Sequence, residues 1–264
     1  MIPHKFKDIA LEQRGKVLFA TLNRPDVRNA VSASLDDELF QLFSGLDADE
    51  NTNVLVLTGA GDCFCAGGDF AEMLPNRGNM AYGHQVAAAG KRLLTAMLDC
   101  QKPVIARVNG DALGLGCTLA LFCDIIIADS KARLSDQHVK IGLAAGDGGA
   151  AIWPQLVGYA RAKQYLLTGD SISADEAERM GLINFSVPTD QLDELVKKWS
   201  EKFANGASWA TRMSKLIVNS SLKHAFVQSV DVGFGHETLT ALTSDHAEAI
   251  EAFLEKRRPQ FSGR

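Results

Sequence analysis

The chain has 264 residues, of which 46% are hydrophobic and 22% charged, and its formal net charge is −5 at pH 7. These values are ordinary for a globular protein with a substantial core, and the acidic balance argues against general nucleic-acid binding. The longest apolar stretch, residues 119–128, contains Asp124 and is too short to cross a bilayer, and the N-terminus shows no secretory signal pattern.

Strand-like and helix-like stretches alternate along the first half of the chain. Apolar runs predict strands at residues 17–22, 54–58, 104–108 and 125–128. Helical patterns lie between them, at residues 32–46, 80–98 and 113–121. Because strands that alternate with helices usually pair in parallel, the pattern predicts an α/β fold whose sheet is covered by helices.

Beyond residue 171 the pattern becomes helical. Ser173, followed three residues later by Glu176, forms a capping box and predicts a helix start. Further helical patterns lie at residues 189–204, 207–221, 227–242 and 245–256. We therefore expect an α/β core over residues 1–200 and a helical region over residues 201–264.

Two glycine-rich turns, each following a predicted strand, point to a functional site. The first is residues 63–70 (Cys-Phe-Cys-Ala-Gly-Gly-Asp-Phe), and the second is residues 114–117 (Gly-Leu-Gly-Cys). Turns of this kind leave backbone N–H groups unpaired where a helix begins. Two such amides suffice for an oxyanion hole, which stabilises negative charge on a carbonyl oxygen. Tight packing of strand against helix is the structural alternative.

The cysteines indicate buried thiols rather than a metal site. Their number is odd and they fall in core-like segments, which is typical of a reduced cytoplasmic protein. Cys63 and Cys65 form a C-x-C pair, but no second pair of cysteines or histidines completes a zinc quartet. The cysteines are residues 63, 65, 100, 117 and 123.

A series of motifs resembles the crotonase (enoyl-CoA hydratase/isomerase) superfamily almost from end to end. The motifs are residues 22–30, 66–69, 102–106, 109–110, 114–117, 123–125, 181–183 and 253–261. The resemblance implies a spiral of ββα units followed by a helical trimerisation region, assembled as a trimer or a dimer of trimers. It also implies an acyl-CoA substrate, with coenzyme A arriving as part of that substrate and with no metal or redox cofactor.

The same resemblance assigns backbone and binding roles. The oxyanion donors would be the main-chain N–H groups of Gly68 and Leu115. Arg28 would contact phosphate, because a guanidinium forms directional paired bonds with phosphate oxygens. The residues expected to line the coenzyme A site are Arg28, Ala30, Ala66 and Gly67.

The expected acid and base residues depart from those of the standard hydratase. The positions that resemble its two catalytic glutamates hold Thr118 and His138. His138, Asp147 in a Gly-Asp-Gly turn, and the distant Glu237 instead resemble the set used by the β-diketone hydrolases of the superfamily. An imidazole and two carboxyl groups can activate water and move protons near neutral pH.

Three functions therefore stay open on the sequence. The first is hydration, dehydration or isomerisation of an enoyl-CoA, and the second is hydrolytic C–C cleavage of a β-dicarbonyl by His138, Asp147 and Glu237. The third is a catalytically silent protein that binds coenzyme A. Each of the three residues also has a structural interpretation: turn former, core histidine and surface salt bridge. Asp136, His84 and Glu72 carry no feature that separates them from surface polar residues.

Overall fold

A six-stranded sheet forms the centre of the fold in the computed structural model, which describes Ile2 and residues 5–264. In spatial order its strands are β1 (Ile9–Arg14), β2 (Val17–Leu22), β3 (Val54–Gly59), β5 (Val104–Val108), β7 (Ile125–Asp129) and β10 (Phe185–Val187). A smaller sheet contains β4 (Cys63–Cys65), β6 (Asp111–Leu113), β8 (Arg133–Ser135) and β9 (Ile172–Ser173). The pairings are parallel except β1 with β2 and β8 with β9, so the predicted α/β fold is confirmed.

Helices cover both faces of the large sheet and make up nearly all of the chain after β10. Between the strands lie α1 (Ala33–Leu46), α2 (Phe70–Met73), α3 (Met80–Asp99), α4 (Leu115–Leu121), α5 (Gly149–Thr168) and α6 (Ala174–Arg179). They are followed by α7 (Thr189–Ala204), α8 (Ser208–Thr240) and α9 (Ser244–Leu254). The predicted cap of α6 is confirmed, because the Glu176 amide donates to the Ser173 hydroxyl oxygen at 3.3 Å. None of the described helices is long and apolar enough to span a membrane.

The predicted break between two C-terminal helices is wrong. The patterns at residues 207–221 and 227–242 belong to the single 33-residue helix α8. The five residues between them, Leu-Lys-His-Ala-Phe, contain neither glycine nor proline, and all tolerate helical backbone. Nothing in that stretch stops propagation of the helix, since each added residue gains a backbone hydrogen bond.

The apolar run of β3 is continuous because helices lie on both of its faces. Leu55 and Leu57 point into the main core, which contains residues of α1 and α3. Val54 and Val56 point the other way, into a second cluster completed by residues of α7 such as Leu192. Burial on both faces is the usual reason for such an unbroken run in a parallel strand.

A buried ion pair ties α8 to the sheet, and its loss is expected to destabilise the fold. Lys215 Nζ lies 2.7 Å from Asp124 Oδ2 and donates to the Lys102 carbonyl at 2.9 Å. The Lys215 side chain is 8% exposed, so Lys215→Met leaves the Asp124 charge without its partner. We expect a loss of about 3 kcal/mol in the free energy of unfolding, measured by urea titration at fixed protein concentration.

Lys223→Met is the matched control for this prediction. Lys223 lies on the same helix and pairs with Asp99, but both side chains are at least 36% exposed. Exposed ion pairs contribute about 1 kcal/mol or less. Equal effects of the two variants would contradict a structural role for the buried pair.

Candidate active site

The two glycine turns lie side by side, because β4 and β6 pair in parallel and each runs into one of them. A Cβ built on Gly67 would lie 3.0 Å from the Leu113 carbonyl oxygen and 3.7 Å from Gly114 Cα. A Cβ on Gly116 would lie only 2.3 Å from the Cys65 carbonyl oxygen. Glycine is therefore required here for the close approach of one turn to the other.

The backbone amides of Gly68 and Leu115 border this contact. Gly114 has φ 51° and ψ −127°, a conformation that is essentially restricted to glycine, and it turns the chain into α4. Within the described residues, neither the Gly68 amide nor the Leu115 amide donates a hydrogen bond to another protein group. Gly68 and Leu115 are half-buried, and two unpaired amides in adjacent turns are suited to binding an oxygen of a ligand.

The three residues predicted to perform acid–base chemistry come together beside these turns. His138 begins a short 3₁₀ helix (His138–Ile141), and its Nε2 lies 3.1 Å from Asp147 Oδ2 and 4.0 Å from Glu237 Oε1. Their side chains are respectively 8%, 7% and 17% exposed. A Cβ on Gly114 would lie 3.9 Å from His138 Cε1, so the imidazole adjoins the second glycine turn.

Glycine at position 146 lets the Asp147 loop approach α8, which carries Glu237. A Cβ on Gly146 would lie 2.3 Å from the Gly233 carbonyl oxygen and 2.7 Å from Glu237 Cβ. Gly148 has φ 104°, which L side chains rarely adopt. The Gly-Asp-Gly sequence thus brings together two residues that are ninety positions apart in the chain.

Thr118 supports the carboxylate of Asp147. The Thr118 side chain is buried, and its hydroxyl donates to Asp147 Oδ1 at 3.3 Å. The sequence marks this position only as a departure from glutamate. In the structure a different carboxylate occupies the neighbourhood and the threonine helps to hold it.

The expectation that Asp136 resembles a surface polar residue is wrong. Asp136 is 1% exposed, and its Oδ1 lies 2.6 Å from His138 Nδ1. The Asp-x-His spacing at the end of a strand is the feature that could have revealed this contact, since an aspartate readily bonds to groups two residues ahead.

Burial and neighbouring charges shift the protonation of this cluster. Burial by itself would lower the pKa of His138, but the Asp147 and Asp136 carboxylates outweigh it and hold that pKa well above its usual value. Burial raises the pKa of Glu237 to about 8; the His138 cation opposes this shift, and Asp147 and Asp136 add to it. Near neutral pH the arrangement is an imidazolium between two carboxylates, with a protonated Glu237 beside them.

The residues expected at a coenzyme A site form one continuous region next to the first turn. Val31 N–H donates to the Gly67 carbonyl at 2.7 Å, and Ala66 N–H donates to the Arg28 carbonyl at 3.0 Å. Arg28 Nη2 lies 3.1 Å from Asp111 Oδ2, and the Arg28 side chain is 53% exposed. Arg28 thus already has an acidic partner, Asp111, which no motif in the sequence indicates.

Asp136, His138 and Asp147 are also the described residues whose donor atoms lie close enough to hold a metal ion, all within 4.8 Å of one another. Both ring nitrogens are at hydrogen-bonding distance from a carboxylate, and an imidazolium satisfies that geometry with its own two protons. The five cysteines contribute nothing to this group, and all of them are buried and unpaired thiols.

The comparisons with known proteins all point to the same family. The family model for enoyl-CoA hydratase/isomerase matches residues 12–264. The short-chain-enoyl-CoA hydratase of Clostridium acetobutylicum is 34% identical over 259 residues, which cover 96% of this chain and 97% of that protein. The crotonyl-CoA hydratase of Syntrophomonas wolfei is 36% identical over 257 residues, covering 97% and 98% of the two chains.

Solved structures agree with the sequence matches. An enoyl-CoA hydratase/isomerase from Mycobacterium paratuberculosis superposes with a TM-score of 0.88 at 33% identity, over 92% of this chain and 97% of the other. An enoyl-CoA hydratase from Mycobacterium avium subsp. paratuberculosis gives a TM-score of 0.89 at 26% identity, over 98% and 100% of the two chains.

Proposed function

Because this chain belongs to the enoyl-CoA hydratase/isomerase family, we propose that it binds an acyl-CoA and stabilises the thioester enolate formed from it. The observation that carries the proposal is the pair of unpaired amides, Gly68 and Leu115, in adjacent turns beside His138. An enolate places more negative charge on oxygen than the ground-state carbonyl does. Two fixed N–H donors therefore stabilise the transition state more than the substrate.

In this proposal His138, Asp147 and Glu237 replace the two missing glutamates in moving protons. Asp147 accepts a proton from water or from the substrate carbon, with the His138 ring beside it to balance the charge. Glu237 holds the proton that is delivered to the other end of the reacting bond. Base and acid are then separate groups, as general acid–base catalysis requires, and both lie beside the same ring nitrogen, Nε2 of His138.

A second candidate is hydrolytic cleavage of a β-dicarbonyl, and the same cluster favours it. Water that gives a proton to Asp147, beside the His138 cation, would attack one carbonyl carbon. The bond from that carbon to the central carbon would then break, and its electron pair would form the enolate of the other carbonyl. The proton of Glu237 would go to the central carbon, giving one carboxylic acid and one ketone or acyl thioester.

Two assays separate these candidates from each other and from a silent protein. Crotonyl-CoA hydration and α-proton exchange of butyryl-CoA in D₂O report enolate chemistry on thioesters. Formation of 5-oxohexanoic acid from cyclohexane-1,3-dione, or of acetate and acetyl-CoA from acetoacetyl-CoA, reports C–C hydrolysis. Thioester turnover supports the first candidate, and acid release alone supports the second. Binding of acetyl-CoA without either reaction, unchanged by Asp147→Ala, would contradict both.

Turnover by either route is expected to fall as the pH rises through about 8, the raised pKa of Glu237. Below that pH the carboxyl group keeps the proton it must donate, and above it the proton is lost. Glu237→Gln removes the titrating group, so the alkaline limb should move or vanish while kcat at pH 7 falls about 100-fold. An alkaline limb that stays in place in this variant would contradict the acid role.

We also propose that the chain forms a homotrimer or a dimer of trimers, that it works in the cytoplasm, and that it needs no metal or redox cofactor, with coenzyme A entering as part of the substrate. Apolar side chains of α8 that are 61–73% exposed support an assembly surface: Ile217, Val218, Val227 and Leu239. Light scattering after gel filtration tests the assembly. Arg28→Ala tests the coenzyme A site, where a rise in KM without loss of kcat is the supporting result.

A further inference from the structure

Asp136 is a buried carboxylate that the proton transfers described above do not use. It lies just beyond the end of β8, and Oδ1 contacts His138 twice, at 2.6 Å from ring Nδ1 and at 3.4 Å from the backbone amide. Carboxylates are rarely this buried without a compensating partner, and here the only cation nearby among the described residues is the imidazolium. Within the described residues, the Asp136 carboxylate is thus paired with His138 and not with a lysine or an arginine.

The other oxygen of Asp136 rests against the start of α5. A Cβ built on Gly149, the first residue of that helix, would lie 2.0 Å from Oδ2. Oδ2 has no hydrogen-bond partner within the described residues. The positive end of a helix dipole stabilises a carboxylate at this position. The imidazole therefore faces one oxygen of the Asp136 carboxylate and the start of α5 faces the other.

We propose that Asp136 is a positioning residue for His138, fixing the rotation of the ring and keeping a proton on Nδ1. The Asp136 carboxylate accepts the Nδ1–H of the imidazolium, and the second N–H, on Nε2, faces Asp147 and Glu237. The catalytic part of this inference rests on the proposed function. The structural part, the ring orientation and its titration, does not depend on any reaction.

The titration expected for His138 depends on every ionisable group that faces its ring. These are Asp136 beyond β8, Asp147 before α5 and Glu237 on α8. Cys117 on α4 stays neutral, because burial raises the pKa of its thiol well above the usual value. Asp136 raises the pKa of both His138 and Glu237. Removal of its charge should therefore move both titrations to lower pH.

Asp136→Asn tests this inference, because it keeps the shape of the side chain and removes its charge. The imidazole titration of His138, followed by ¹⁵N NMR, should move to lower pH. The alkaline limb of the pH–rate profile should move the same way. We expect kcat to fall by up to about 10,000-fold, the loss that follows when the carboxylate that orients a catalytic histidine is replaced by an amide.

Asp129→Asn is the matched control. Asp129 is 4% exposed and accepts the amide proton of Lys131, two residues ahead, at 2.9 Å, so it makes the same local turn without a histidine. It should change neither the His138 titration nor the pH profile. A merely structural role for Asp136 would make the two variants alike.

Gly149→Ala provides a second variant that retains the aspartate. The new methyl group must displace Asp136 Oδ2, so the His138 titration should shift although no charge is lost. An unmoved His138 titration in both Asp136→Asn and Gly149→Ala would overturn the inference. If the titration shifts but no substrate is turned over by the unmodified protein, the positioning role stands and the proposed function fails.

Discussion

Asp147→Asn is expected to lower kcat by about 1,000-fold or more while leaving substrate binding within a few-fold of its original value. The amide keeps the size of the side chain and can still accept a bond from Thr118. It cannot take a proton, however, and it leaves the His138 cation with one carboxylate fewer at hydrogen-bonding distance. The measurement is kcat and KM on whichever substrate class proves active.

Two further variants serve as comparisons for Asp147→Asn. Thr118→Val removes only the 3.3 Å bond that orients the carboxylate, and a fall of about tenfold is expected. Asp170→Asn changes an exposed carboxylate that lies 3.7 Å from Lys140, and it should have no effect. An Asp147→Asn protein with more than a tenth of the original kcat would show that another group is the base.

Gly114→Ala is expected to lower kcat/KM by about 100- to 1,000-fold, the range that follows loss of one oxyanion donor. The backbone at φ 51° and ψ −127° disfavours any side chain, so the turn must relax. That relaxation rotates the Leu115 amide away from the oxygen it would bind. A transition-state mimic bearing an enolate oxygen should lose affinity in the same proportion as kcat/KM.

Gly15→Ala separates this effect from general backbone strain. Gly15 also has a positive φ, 59°, but it lies in the turn between β1 and β2 with nothing within 4 Å of an added Cβ. Its substitution should cost about 1 kcal/mol of stability and no activity. Equal losses of activity in both variants would argue against a specific role for the second glycine turn.

The fold was largely predictable because its periodic elements obey local rules. The strands at 17–22 and 104–108 and the helix at 189–204 have the predicted bounds. The crotonase-type fold that the motifs implied is confirmed by the match to solved structures. The short strands of the smaller sheet were not predicted, since two or three residues are too few for a hydrophobic period to appear.

The candidate site was predictable where a motif marks it and unpredictable where only tertiary contact does. The turns with Gly68 and Leu115, and the residues His138, Asp147 and Glu237, were identified from the sequence, and their roles stay predictions. The bond from Thr118 to Asp147 and the pairing of Arg28 with Asp111 join residues 29 and 83 positions apart. No local sequence pattern predicts such pairs, because each partner taken alone is an ordinary polar or charged residue.

Because α8 is long, the position of Glu237 depends on how the whole helix is held against its neighbours. At about 1.5 Å per residue the 33-residue helix is a rod roughly 50 Å long, and it is pinned near one end by Lys215 and near the other by the contact of Gly233 with Gly146. A slip of one residue along such a rod would turn Glu237 by about 100° and remove it from the imidazole. The contact between Gly146 and Gly233 therefore fixes the rotation of α8 about its own axis. That rotation determines the direction in which the Glu237 carboxyl group points.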